Sequence, residues 1–182
     1  MKRSIVLLLA LAAAPAAAQQ GTMQPATNST ASAAVNASRN VWQMMTRYVT
    51  AAAEQMPEAD YGFKPTDSVR TFGQIIGHVA GAQFMFCAAA LGEPARAEDE
   101  VEASRTTKAE LVQALRESTE YCARAYAQTD AATLGTADLF GQQMPKLMVL
   151  NMNAAHNGEH YGNLVTYLRI KGMVPPSSQP QN

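Results

Sequence analysis

Apolar residues along the chain fall into four stretches with helical spacing, separated by connections rich in Gly, Pro and charged residues. In the first, from about Asn36 to Met56, Val41, Met44, Met45, Tyr48, Val49, Ala52 and Met56 recur on one helix face, and Pro57 ends it. In the second, from about Thr71 to Leu91, the stripe is Phe72, Ile75, Ile76, Val79, Ala82, Gln83 and Phe86, closed by Gly92 and Pro94. The third begins at Thr107, which has Glu110 at capping-box distance. Its inner face carries Leu111, Leu115, Ser118, Cys122 and Ala125. The fourth starts near Pro145, a residue suited to a first helical turn, and runs to Lys171, with Gly172 as terminator and Pro175 beyond. No strand alternation of any length and no internal repeat is found. Helices of about 20 to 27 residues span about 30 to 40 Å at 1.5 Å per residue. One antiparallel four-helix bundle uses all four, so the expected fold class is all-α. The connections 57–70, 93–106 and 130–144 are long. The first carries Tyr61-Gly62-Phe63-Lys64-Pro65, aromatic enough to pack across one bundle end.

The chain's ends read differently. Met1-Lys2-Arg3 is positive, Ile5 to Ala14 is apolar, and Pro15 precedes the small residues Ala16-Ala17-Ala18. That is the pattern of a signal peptide over 1–18 with cleavage before Gln19, and it predicts export to a periplasm or to the outside. The apolar run is too short for a permanent membrane span, so none is expected after cleavage. No Cys follows the small residues, which argues against a lipid anchor. Residues 19–35 read as a flexible leader of Gln, Thr, Ser, Asn and Ala, 36–176 as the bundle, and 177–182 as a loose tail. Export places Cys87 and Cys122 in an oxidising compartment, where a disulfide persists. They fall on the second and third helices. They bridge if those helices are neighbours in matching register, with Cβ atoms within about 4 Å; otherwise they are two buried thiols.

Composition narrows the function classes. The chain has 182 residues, 47% of them apolar and 16% charged, enough for one domain with a single core. Lys and Arg number 14 against 15 Asp and Glu, for a net charge of -1. No basic excess exists to neutralise a phosphate backbone, so no nucleic-acid partner is expected.

All three histidines, His78, His156 and His160, lie on helices. His156 and His160 are four apart, so their side chains share one face of the fourth helix and can share a ligand. His78 sits mid-way along the second helix, between Gly77 and Gly81. On a wheel centred on Leu164, at about 100° per residue, Leu150, Asn153, Asn157 and Leu168 fall within about 40°, His160 about 40° off and His156 about 80° off. The inward face is therefore apolar at both ends and polar in its middle. Buried polar groups cost about 1 to 3 kcal/mol each unless partnered. A divalent metal held by His78, His156 and His160 would supply the partner, since bundle interiors build such sites from facing helices. Asn153 and Asn157 are candidates to orient a water or substrate, or to serve as donors behind the ligands. Tyr161 and Glu159 are weaker candidates, with Glu159 at the rim and no Asp or Glu placed to join the ligands. No GxSxG elbow, phosphate loop or Cys-His nucleophile pair is present, and no catalytic residue is assigned. Hydrogen-bonded histidines in a purely structural interaction module are the competing reading.

The segments Ile75-Ile76-Gly77-His78-Val79-Ala80 and His156-Asn157-Gly158-Glu159-His160-Tyr161-Gly162-Asn163-Leu164-Val165-Thr166-Tyr167-Leu168-Arg169 resemble the DinB/YfiT-like superfamily. So does Tyr61-Gly62-Phe63-Lys64-Pro65 followed by Val69-Arg70-Thr71-Phe72. The resemblance runs from about Asn36 to Pro176. It implies a four-helix bundle with a three-histidine site for Zn, Ni or Fe, often in a homodimer. Members of that superfamily include thiol-dependent S-transferases and a maleylpyruvate isomerase. Taken with the signal-peptide pattern and the metal chemistry open to three imidazoles, the expected function is that of an exported, metal-dependent transferase, thiol-dependent, or a hydrolase, acting on a small-molecule substrate. The alternative is a non-catalytic bundle that binds a metal or a small ligand.

Overall fold

The computed structural model describes residues 32–180. The expected signal peptide and most of the expected leader lie outside the described residues. Four long helices make the frame: α1 (Ala33–Gln55), α2 (Phe72–Leu91), α4 (Lys108–Tyr126) and α6 (Lys146–Ile170). Between them lie α3 (Glu100–Ser104), α5 (Asp130–Thr133) and the strands β1 (Thr136–Leu139) and β2 (Gln142–Pro145). The four-helix bundle expected from the periodicity is the fold.

Local chemistry fixes the ends. Thr71 and Thr107 each accept the N3 backbone N–H while Gln74 and Glu110 reach back to the cap residue, giving two complete capping boxes. Gly92 and Gly172 take φ of 74° and 75°, the left-handed conformation that stops a helix without a Cβ penalty. The N-terminus of α1 is held from outside: Asp130 accepts from the backbone N–H groups of Ala34 and Val35, at 3.0 and 2.8 Å. That contact draws residues 33–35, expected in the leader, into the helix, with Val35 fully buried. The chain's tail is also more ordered than its composition suggested. Residues 176–178 form a 3-10 turn, Pro176 is buried, and the Ser177 N–H donates to the Tyr161 hydroxyl.

The antiparallel hairpin β1–β2 was not expected from the sequence. Its strands are four residues each, too short to show a period, and the turn is Phe140-Gly141 with φ of 55° and 71°. Two left-handed residues give a hairpin turn of the primed type, which usually announces itself by Asn-Gly or Asp-Gly.

α2 is the central helix. It packs on α3, α4, α6 and β1 through a nearly all-round apolar surface. By length and composition it would pass for a membrane span, yet 83% of that span is buried inside the bundle. Across α2 and α4, Cys87 and Cys122 form a disulfide with Cα atoms 5.2 Å apart. The register of the two helices therefore agrees. At the bundle end, Tyr61 donates to the Ala53 carbonyl and meets Phe72 edge-on, while Phe63 meets Tyr167.

A polar layer divides the core. One apolar cluster gathers Val49, Ile76, Leu115 and Leu164, and the other gathers Trp42, Cys87, Tyr126 and Leu150. Between them each long helix contributes one buried polar residue: Thr46, Gln83, Ser118 and Asn157. Gln83 accepts from Trp42 Nε1 at 2.8 Å and donates to Ser118 Oγ at 2.9 Å. Asn157 donates to Thr46 Oγ1 at 3.2 Å and to Gln83 Oε1 at 3.3 Å.

Candidate metal centre

The three histidines meet on the α2–α6 side of this polar layer. His156 Nε2 lies 3.1 Å from His78 Nε2 and 3.1 Å from His160 Nε2. One ring nitrogen from each falls within 4.8 Å of the other two. His78 and His160 are 6% and 8% exposed, and the His156 side chain is 15% exposed, so the cluster is largely shielded from solvent. Phe86 packs against the His156 ring at 5.7 Å and walls one side. The helical spacing explains α6's share: His156 and His160 stack one turn apart, and α2 brings His78 across from them.

Electrostatics keep the cluster neutral. Burial lowers the pKa of all three imidazoles below the usual histidine value of 6.5. For His156 burial is joined by repulsion from His160 and His78, and the pKa falls to about 3. For His78 the positive Arg70 adds to burial, against Glu102 and Glu159, which act upward. Neutral imidazoles with free ring nitrogens are the form that binds a metal.

Two carboxylates not expected from the sequence also reach the cluster. Glu98 Oε1 lies 3.7 Å from the Nε2 atoms of both His78 and His156. Glu102 Oε2 lies 3.8 Å from His78 Nδ1, and Arg70 holds that carboxylate through Nε at 3.1 and 3.2 Å. Asn163, exposed, sits 3.4 Å from His160 Nδ1. Conversely, Asn153 and Asn157 do not face the histidines. Asn153 donates to Tyr126 Oη at 3.3 Å and approaches the sulfurs of Cys87 and Cys122, while Asn157 belongs to the polar layer. Tyr161 stacks on Tyr48 and accepts from the tail, away from the cluster. Glu159 is exposed at the rim, as expected. A signal for Glu98 and Glu102 existed in the sequence: glycines flanking His78 one turn apart mark a helix face that another segment can approach closely.

The donor set fits a metal. Nitrogens bound to one tetrahedral ion at about 2.0–2.1 Å stand about 3.3 Å from each other, close to the two 3.1 Å separations here. With their protons on Nδ1, three Nε2 lone pairs face a common point and repel unless a cation lies between them. The buried Nδ1 atoms of His78 and His156 have no hydrogen-bond partner. Glu102 is 0.3 Å beyond hydrogen-bond reach of the first, at 3.8 Å, the position of a carboxylate that orients a ligating histidine.

The model of the DinB superfamily matches residues 41–164. The chain belongs to this superfamily. Its fold is similar to that of a DinB-like protein from Bacillus cereus, with a TM-score of 0.66 and 18% identity over 78% of this chain and 95% of that one. It is also similar to mycothiol-dependent maleylpyruvate isomerase, with a TM-score of 0.61 and 19% identity; a mutant form of the isomerase aligns at 18%. The aligned region covers 71% of this chain and 60% of the isomerase, so this chain spans less than two thirds of that protein. No curated protein matches the sequence.

Proposed function

We propose that this DinB-superfamily chain is an exported metalloprotein that holds one divalent transition ion on His78, His156 and His160 and works as a metal-dependent transferase or hydrolase. The observation that carries the reading is the convergence of the Nε2 atoms of three neutral imidazoles from two helices. Three imidazoles are the ligand set of catalytic rather than closed structural sites. An ion there supplies a Lewis acid that acidifies a water or a thiol toward neutral pH. Zn, Ni and Fe all suit imidazole donors.

The chain's own residues do the rest. Arg70 fixes Glu102, whose carboxylate faces the unpartnered Nδ1 of His78 at 3.8 Å and favours a proton there, while the Asn163 amide nitrogen lies 3.4 Å from His160 Nδ1. Phe86 shields one flank from water. A thiol-dependent transferase is supported by the fold shared with mycothiol-dependent maleylpyruvate isomerase. Any attacking thiol would come from a small-molecule cosubstrate, because both cysteines of the chain are bridged. The Cys87–Cys122 bridge also supports the exported location.

Protein purified without an affinity tag should contain close to one equivalent of metal per chain, lost in His156→Ala and in His160→Ala. A panel of thiol-transfer and hydrolysis reactions then separates an enzyme from the non-catalytic metal-binding bundle. Turnover abolished by chelation and restored by metal supports the enzyme. A stoichiometric metal with no turnover across the panel favours the binding protein, and metal-free wild type refutes both.

A further inference from the structure

The connection between α2 and α4 is built to press two acidic residues onto the histidine cluster. A Cβ on Gly81 would run into the Glu98 carbonyl oxygen, and one on Gly77 would lie 2.8 Å from Glu102 Cα and 3.1 Å from its nitrogen. Only glycine at both positions lets the 98–102 segment lie backbone-to-backbone on the turn of α2 that carries His78. α3 holds that segment in shape: Val101 is buried, and Arg96 forms a paired contact with Glu100 at 2.9 and 3.2 Å. The result is a carboxylate oxygen equidistant, at 3.7 Å, from two of the three converging nitrogens. Beside it, the buried His78 Nδ1, without a partner, faces Glu102.

Resting on the three-histidine metal reading, we infer that Glu98 is the fourth protein ligand of the bound ion, with Glu102 as the positioning residue that orients His78. Carboxylate oxygens bind Zn-like ions at about 2.0–2.2 Å. An oxygen on such an ion would stand about 3.4 Å from each nitrogen on a tetrahedral ion, a few tenths of an ångström inside the present separation. Glu98 is 37% exposed in its side chain and comes from a connection rather than a long helix. It therefore closes the solvent side of the site, and a substrate that needs that position must displace it. The ligand set becomes three imidazoles and one carboxylate, which neutralises one of the ion's two charges.

The test uses full-length, untagged protein loaded with Zn(II) or Co(II). Zn(II) affinity is read by competition with a chelating dye, and the Co(II) form by its visible ligand-field bands. Glu98→Ala and Glu98→Gln should keep one metal per chain but bind Zn(II) about ten- to a hundredfold more weakly, with altered Co(II) bands. Gly81→Ala, which leaves the carboxylate in the sequence but pushes its segment away, should weaken binding in the same direction. Thermal unfolding of the metal-free variants confirms that each is folded. If wild type binds metal and Glu98→Ala binds it equally well with unchanged Co(II) bands, the assignment of Glu98 is overturned while the histidine site stands. If wild type takes up no metal, the histidine site fails and Glu98 with it.

Discussion

Reducing the Cys87–Cys122 bridge should cost this bundle a large part of its stability without changing its fold. The bridge joins residues 35 apart in sequence, and both cysteines are fully buried between α2 and α4. In the loop-entropy account, releasing a closed loop of that length returns freedom to the unfolded chain worth about 4 kcal/mol at 25 °C. Domains of this size have about 5–15 kcal/mol in total, so the reduced protein stays folded with a much smaller margin. The native helix contacts do not depend on the bond: Tyr126 still donates to the Leu150 carbonyl, and Gln83 still joins α2 to α4 through Ser118. The assay is urea unfolding of oxidised protein against protein reduced in denaturant and refolded under reductant, with thiols counted in both. At a urea slope of about 2 kcal/mol per molar, the midpoint should fall by about 2 M. Equal midpoints with two thiols in the reduced sample would refute the entropic reasoning. Two titratable thiols in the oxidised sample would refute the bridge itself.

Other perturbations test the layer and the site. Gln83→Leu leaves the buried Trp42 N–H without its acceptor and Asn157 and Ser118 each short of a partner, so it should destabilise by about 2–4 kcal/mol in chemical denaturation; a change under 0.5 kcal/mol would deny the layer its role. Gly77→Ala meets the Glu102 backbone at 2.8 Å, and that overpacking, about 1–3 kcal/mol, should outweigh the helix-propensity gain of about 1 kcal/mol, so Tm falls rather than rises. Metal-free protein should lose stability as pH drops. The three histidines have folded pKa values below the unfolded 6.5, so from about pH 6.5 downward the unfolded chain binds more protons than the native one. The loss continues for His156 to about pH 3, at up to about 1.4 kcal/mol per pH unit for each group. His156→Asn should flatten the decline of Tm between pH 7 and 5, and an unchanged slope would contradict the buried neutral cluster.

Features written in short-range chemistry were legible from the sequence. The Thr107–Glu110 box, the Gly92 and Gly172 stops and the four-residue spacing of His156 and His160 are each contained within one turn of helix. The polar middle of α6 was legible too, but only as a direction. A wheel gives the azimuth of Asn153 and Asn157, whereas their partners Tyr126, Thr46 and Gln83 come from other helices at the same height, so their drift away from the histidines was not visible. The hairpin escaped because four-residue strands carry too little alternation and Phe140 occupies a left-handed turn position unaided by Asn or Asp. Glu98 and Glu102 escaped because their approach depends on tertiary packing against Gly77 and Gly81, some twenty residues earlier in the chain. The cysteine pairing needed the relative register of two helices, which neither helix's own period supplies.

The account stands most directly on where a metal would be found. Diffraction data collected at the absorption edges of Zn, Ni and Fe, from crystals of untagged protein, should show one anomalous peak per chain. It should lie about 2.0–2.1 Å from the Nε2 atoms of His78, His156 and His160. No peak between those rings after incubation with each metal, or a peak bound elsewhere on the chain, would contradict it.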